Sequence, residues 1–325
     1  MKSTLALANR ILLAVALSSA FILAACGPAT TDNPATKNEE AVEFADTNLE
    51  SVIREAIDKP EGVIYPSDLD GLMSLKASDR EIVSLEGLGH ATQLISLELH
   101  RNAIEDISPL TSLKNLTKLW LVGNRITDVS PLASLTGLTD LQLSGNQIID
   151  ISPLAGLTNL LFLNLAGNSI QEVSPLENLT NLVNLDLNGN KITDISSLSN
   201  LTGLISLTLM FNQVEDIAPL AVMTEMKTLD LGGNRIEDIS PLAALTKLEV
   251  LNLAPPNGNQ AEDISAIASM EKLVQLRVWN NGITDISPVA DLTNLETLWV
   301  LEGNPLDEES LRIVAQLKKR GVEVR

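Results

Sequence analysis

The sequence predicts an α/β solenoid, a stack of coils in which each coil adds one short strand to a parallel sheet and an irregular turn to the opposite side. Three observations predict it. The stretch from Leu94 to Lys247 repeats every 22 residues, with copies opening at Leu94, Leu116, Leu138, Leu160, Leu182, Leu204, Met226 and Leu248. Within a copy, apolar residues recur at positions 1, 4, 6, 11, 14, 17 and 20. Asparagine stands at position 9, at Asn102, Asn124, Asn146, Asn168, Asn190, Asn212, Asn234, Asn281 and Asn304, with Asn259 displaced by an insertion.

A period of this length with this spacing is that of a leucine-rich repeat. The copy from Leu116 reads LTKLWLVGNRITDVSPLASLTG. Positions 3 to 7 carry x-Leu-x-Leu-x, a period of two that predicts a strand with its leucines on one face. The asparagine turns the chain, and at a buried turn its amide can bond backbone groups of adjacent coils. A segment of the form Ile-x-Asp-Ile-Ser-Pro-Leu follows, with proline at 109, 131, 153, 175, 219, 241 and 288. Proline has no N–H and a fixed φ, so a 3₁₀ or irregular turn is expected there, closed by the aspartate before it. One coil cannot bury its own leucines, but stacked coils can. The expected form is a leucine-rich repeat horseshoe with strands on the concave face and helical caps at both ends.

Along the chain, residues 1–25 read as a signal peptide: Lys2 and Arg10 precede an apolar run too short to span a membrane comfortably. The run ends Leu23-Ala24-Ala25-Cys26-Gly27, which resembles the lipobox of bacterial lipoproteins. That resemblance implies lipidation of Cys26, with two or more acyl chains giving stable anchoring at about 0.8 kcal/mol per buried CH₂. Gly27 rather than aspartate after the cysteine implies, by the same resemblance, an outer-membrane or cell-surface location. Residues 26–43 are polar and read as a flexible tether.

Residues 44–71 read as a helical N-cap, in which Thr47-Asn48-Leu49-Glu50 fits a capping box and Leu49, Val52, Ile53, Ala56 and Ile57 fall at helical spacing. Residues 72–304 hold the repeats, degenerate in the first copy, where Arg80 replaces the asparagine. The copy from Leu248 is 25 residues long, its three extra residues falling within 254–259 beside the strand face. Residues 305–325 read as a helical C-cap with acid in the first turn, Lys318, Lys319 and Arg320 in the last, and Gly321 after it. Val322 and Val324 fit an edge strand.

Composition narrows the function. The chain carries 42 acidic and 22 basic residues, a net charge of −20. Part of that acidity is architectural, since aspartate recurs at position 13. An acidic surface argues against nucleic acid, which needs basic surface to displace counterions. A sole cysteine forms no intramolecular disulfide, and two histidines, His90 and His100, give no zinc spacing. The position-13 aspartates lie on separate coils and do not converge on one calcium ion. No cofactor motif is present. The sequons at Asn115, Asn178 and Asn200 are generated by the repeat.

Aromatic residues make up 2% of the chain, yet the five in the repeat array all fall on the outward side of the strands: Trp120 and Trp299 at position 5, Phe162 at 3, Trp279 at 7 and Phe211 at 8. Aromatic side chains on a rigid surface are typical interface anchors. Adjacent copies align Arg277 with Trp299 and Trp279 with Leu301, which predicts a cation–π pair and a binding centre of Arg277, Trp279, Trp299 and Leu301. Trp120 with His100 and Arg101, Phe162, and Met210 with Phe211 are further candidates. Between them the face is polar, with Gln142, Asn164, Asn184, Asp186, Asn188 and Asp230. Asp186 and Asp230 lie two strands apart, roughly 10 Å, near the upper limit for a pair of inverting glycosidase carboxylates. A solvated face with no third group converging on them does not support hydrolysis. Tryptophans beside amides and carboxylates also fit a glycan, as an alternative to a protein partner.

From Phe44 to Arg325 the chain resembles bacterial leucine-rich repeat proteins of the internalin type, through the 22-residue unit with Asn-x-Ile-x-Asp-Ile-Ser-Pro-Leu and the helical N-cap. The resemblance implies a right-handed horseshoe whose concave face binds another protein, outside the cytoplasm; a monomer without catalysis is expected. A helical C-cap in place of an immunoglobulin-like domain, and a lipid in place of a cell-wall anchor, depart from that family. Host-cell invasion is therefore not implied.

Overall fold

The computed structural model describes residues 39–254 and 259–325. Residues 1–38, which the sequence reads as a signal peptide, Cys26 and most of a tether, and four residues of the insertion, 255–258, lie outside the described residues. From Glu40 onward the chain builds one sheet of twelve parallel strands in sequence order. They are β1 (Ser74–Lys76), β2 (Ser96–Glu98), β3 (Lys118–Trp120), β4 (Asp140–Gln142), β5 (Phe162–Asn164), β6 (Asn184–Asp186), β7 (Ser206–Thr208), β8 (Thr228–Asp230), β9 (Val250–Asn252), β10 (Gln275–Arg277), β11 (Thr297–Trp299) and β12 (Glu323–Val324). This is the leucine-rich repeat solenoid that the period predicts.

Eleven strands span positions 3 to 5, shorter than the alternation from 3 to 7. Left-handed backbone at position 8, as at Gly123 (φ 69°), ends the extended run. Pairing between coils continues past the strand, from Leu121 N–H to Gln142 O and from Gly123 N–H to Ser144 O, both at 2.8 Å. Register follows the repeat: Leu119 sits beside Leu141, and Val250 beside Gln275 across the longer coil. Each coil drives its apolar positions inward. In the coil from Leu138, the side chains of Leu138, Leu141, Leu143, Ile148, Ile151, Leu154 and Leu157 are all buried, and each contributes about 2 kcal/mol by leaving water.

The position-9 asparagines form a continuous ladder. Asn190 Nδ2 donates to Leu187 O in its own coil and to Leu165 O in the preceding one, both at 3.0 Å, while its Oδ1 accepts from Ile170 N at 3.0 Å. Leu165 O also accepts from Asn168 Nδ2 at 2.9 Å, so each position-6 carbonyl fills both lone pairs from successive asparagines. Asn259 recovers this role despite the insertion, bonding Leu231 O and Leu253 O at 2.9 Å. Asn304 sits one place further along its coil than position 9 and still accepts from Ile283 N at 3.0 Å. A second, exposed asparagine series, unanticipated from the sequence, stands at position 22: Asn115, Asn159, Asn181 and Asn294 each donate to a carbonyl of the preceding coil at 2.7–3.0 Å.

The position-13 aspartates close the 3₁₀ turns as expected. Asp150 Oδ1 accepts from Ser152 N at 2.7 Å and Oδ2 from Ser152 Oγ at 3.0 Å. Those bonds hold the carboxyls of Asp150, Asp194 and Asp238 below the usual range.

The N-terminal helix α1 (Thr47–Ala56) buries Leu49, Val52 and Ile53 against the first coil. Its cap corrects the sequence reading. Asp46, not Thr47, is the N-cap, accepting from Asn48 N and Leu49 N. Its second oxygen accepts from Val83 N and Ser84 N of the first coil, two contacts that no local pattern announces. Glu50 instead pairs with Arg54 one turn on. Helix α2 (Glu308–Lys319) is capped by Asp307 and buries Ser310, Ile313, Val314 and Leu317. Arg320 then donates to Ala290 O and Leu292 O, and β12 closes the sheet. No helix among the described residues is long and apolar enough to cross a membrane.

Candidate functional site

The strand face is built from positions 3, 5 and 7, which the pleat turns away from the leucines. It carries an aromatic cluster near each end with a polar run between. At the C-terminal end, β10 and β11 set Arg277 beside Trp299 in register. The Arg277 guanidinium lies over the indole, 4.7 Å from Cζ to the ring centre. Arg325, unremarked in the sequence, covers the same indole at 5.2 Å. It is delivered there by β12, whose alternation buries Val322 and turns Glu323 and Arg325 outward. Arg325 Nε donates to Glu323 Oε1 at 2.7 Å. At the N-terminal end, Trp120 stacks on His100 with ring centres 5.5 Å apart and 24° between planes.

The polar run is bonded internally. Asp186 Oδ1 accepts from Thr208 Oγ1 at 2.8 Å and Asn188 N at 3.1 Å. Asp230 Oδ1 accepts from Asn252 Nδ2 and Gly232 N, both at 3.0 Å. These carboxylates are committed to holding neighbouring coils and turns. Among the described residues no cluster of three or more His, Cys, Asp or Glu side chains is set to hold a metal ion.

Of the aromatic candidates, only Phe211 is exposed; Trp120, Phe162, Trp279 and Trp299 are half-buried beneath their neighbours, so open exposure of the indoles is not what the face presents. Leu301 is exposed, and Met210 is half-buried beside Phe211. Arg101 extends the His100–Trp120 end outward, where it pairs with Asp79 at 3.8 Å. The deciding feature is polar. Among the described residues, four buried side-chain nitrogens have no hydrogen-bond partner: His100 Nδ1, Trp120 Nε1, Arg277 Nε and Trp299 Nε1. All four belong to the two end clusters. A scaffold that otherwise fills even both lone pairs of its carbonyls leaves its unmet polar groups on one face, in two places. Such groups need a partner that the chain itself does not supply, an ordered water or a bound molecule.

Comparison with known proteins bears on the family and the fold. The family model for leucine-rich repeats (two copies) matches residues 92–134, 114–156, 136–178, 158–200, 180–222, 224–269 and 271–312. An internalin (inlF) from Listeria monocytogenes is 35% identical over 86% of this chain and 88% of its own, with a TM-score of 0.75. This chain is an internalin-like leucine-rich repeat protein. Internalin C2 (inlC2) of the same organism is 36% identical over 68% of this chain and all of its own, with a TM-score of 0.65. The functional domain of InlJ from Listeria monocytogenes, which includes a cysteine ladder, is 25% identical over 83% of this chain and 59% of that chain, with a TM-score of 0.72. In this internalin-like chain the coil-to-coil ladder is made by asparagine. No curated protein matches it.

The turn that borders this face also carries strain. Position 8 takes left-handed backbone and is glycine in Gly123, Gly145, Gly167, Gly189 and Gly233, whereas Asp79, Arg101, Asn280 and the bulkier Phe211 (φ 57°) hold it without that freedom. The Phe211 ring lies over Gly233, where a Cβ would come within 2.9 Å of it. An L-residue in that region costs about 1–2 kcal/mol, partly offset by the ring contact and by the extra freedom of glycine in the unfolded chain. Phe211→Gly is therefore expected to stabilise the fold by roughly 0.5–1 kcal/mol, a rise of about 1–3 °C in a thermal melt. An unchanged or lowered melting temperature contradicts the strain.

Proposed function

We propose that this chain is a lipid-anchored, extracytoplasmic binding module that recognises a protein partner through its strand face. The observation that carries the reading is the confinement of the four unpartnered nitrogens to two aromatic clusters on that face. Leaving a buried polar group unmet costs about 1–3 kcal/mol, and a partner whose docking shifts these side chains enough to bring its own polar groups to them recovers it. Eight strand steps separate Trp120 from Trp299, roughly 38 Å at about 4.8 Å per step, a span suited to a folded protein. The aromatic and arginine side chains are of the kind that dominates interface energetics. The family supports holding rather than transforming, and the asparagine ladder keeps the anchors rigid. Cys26 supplies attachment, so Cys26→Ser is expected to move the protein from the detergent phase to the aqueous phase.

The test is crosslinking on intact cells carrying the wild-type chain, Trp279→Ala with Trp299→Ala, or Trp120→Ala. The paired substitution is expected to reduce capture of the principal partner at least tenfold while shifting the melting temperature by no more than about 3 °C, since half-buried face residues contribute little to the core. Undiminished capture refutes the strand-face reading. Binding to a glycan array in place of any protein refutes the protein partner.

A further inference from the structure

Building on the strand-face reading, we infer that the C-terminal end of the face is a receptor for a single carboxylate, an Asp or Glu side chain of a protein partner, bound by Arg277. The chain carries its own template. Trp299 bears a guanidinium on each side, Arg277 at 4.7 Å and Arg325 at 5.2 Å. A guanidinium stacked on a ring keeps its N–H donors in its own plane, where they meet a carboxylate edge-on. Arg325 already meets a carboxylate in this way, with Nε donating to Glu323 Oε1 and Nη2 in ion-pair contact with the same oxygen. Arg277 has the same stack and no carboxylate partner among the described residues, and its Nε lies buried without an acceptor.

Charge separates this from a polyanion site. The neighbours of Arg277 in register are Asn252 and Trp299. Asp230, one strand beyond Asn252, is engaged by Asn252 Nδ2 and Gly232 N. One free guanidinium on a chain of net charge −20 matches a single negative charge, whereas a polyphosphate or sulfated glycan is repelled by the rest of the molecule. Trp279 and the exposed Leu301 offer apolar contact beside the cation, which fits an acidic residue flanked by an apolar one.

The probe is a random displayed peptide library selected on the full chain. Enriched peptides are expected to carry Asp or Glu next to an aromatic or aliphatic residue. For the strongest peptide, Arg277→Gln and amidation of that acid are each expected to weaken binding at least tenfold, and the two together no more than either alone. Heparin or inorganic phosphate should displace it only through ionic strength. The assignment is overturned if the library yields no enrichment, if the acid-to-amide change alters affinity less than twofold, if the two losses multiply, or if heparin competes stoichiometrically. Tryptophan-dependent partner capture that ignores Arg277→Gln would remove this assignment and leave the strand-face reading intact.

Discussion

Asn190→Leu is expected to lower the stability of the repeat array by about 2–4 kcal/mol, a fall of roughly 5–10 °C in the thermal midpoint. The bonds define the size of the loss. Leu165 O and Leu187 O each keep one donor, from Asn168 and Asn212 respectively. Ile170 N loses its acceptor outright and is left buried. The leucine adds branched bulk where an amide fitted. Asn190→Asp is worse at neutral pH, because an ionised carboxylate accepts but cannot donate to two carbonyls. By contrast, Asn181→Ala removes one bond, to Thr158 O, at an exposed edge where water replaces it, and should fall within about 0.5 kcal/mol. Calorimetry of the three variants decides the matter, and equal losses for Asn190→Leu and Asn181→Ala would show that the inner ladder carries no special stability.

The contrast has a consequence for how the molecule unfolds. Each coil touches only its neighbours, so stability is a sum of coil and interface terms. A break at Asn190, in the middle of the array, loosens the interface between the coils from Leu160 and Leu182, and hydrogen exchange should quicken in those two coils before it does near Asn102 or Asn281. Protection that falls uniformly instead would indicate an array that opens as one cooperative unit.

What was legible in the sequence follows from periodicity. A 22-residue repeat fixes which side chains face inward, so the core, the strand order, the asparagine ladder and the aspartate-closed turns could be read without coordinates. The pairing of Arg277 with Trp299 was legible for the same reason, since equal repeat positions fall side by side. What escaped is what the period does not encode. Asp46 and Thr47 are equally competent caps by type, and Asp46 prevails because its second oxygen reaches Val83 N and Ser84 N, more than thirty residues away. Arg325 follows the last full repeat, yet the alternation of Val322 and Val324 was sufficient to place it outward next to Trp299. The half-burial of the indoles depends on neighbours lying over them, which composition alone does not reveal. The position-22 asparagines were hidden in plain view among glycine, lysine and glutamate at the same position.

Asp46→Ala is expected to cost about 2–3 kcal/mol and to free the N-terminal cap. One carboxylate serves four backbone N–H groups, two at the start of α1 and two in the first coil. Loss of the helix cap accounts for roughly 1–2 kcal/mol, and the stranded coil amides supply the remainder. Partial burial opposes the charge on Asp46, but the backbone bonds from Val83, Leu49, Ser84 and Asn48 outweigh it and hold the carboxyl below its ordinary value. A carboxyl with a depressed folded pKa contributes its stability above the unfolded value, near 3.9. That contribution is lost as pH falls through the lower folded value. Asp46→Asn, with a single acceptor oxygen and no titration, removes both the contribution and its pH dependence. The difference in stability between wild type and Asp46→Asn should therefore be constant above about pH 5 and shrink steadily below about pH 4. Hydrogen exchange at Leu49, Val52 and Ile53 should accelerate in Asp46→Ala while the coils beyond Asn124 stay protected, because a solenoid frays from the end that loses its cover. A difference that stays flat down to pH 2, or an N-terminal helix as protected as before, would mean that Asp46 is not what fastens α1 to the first coil.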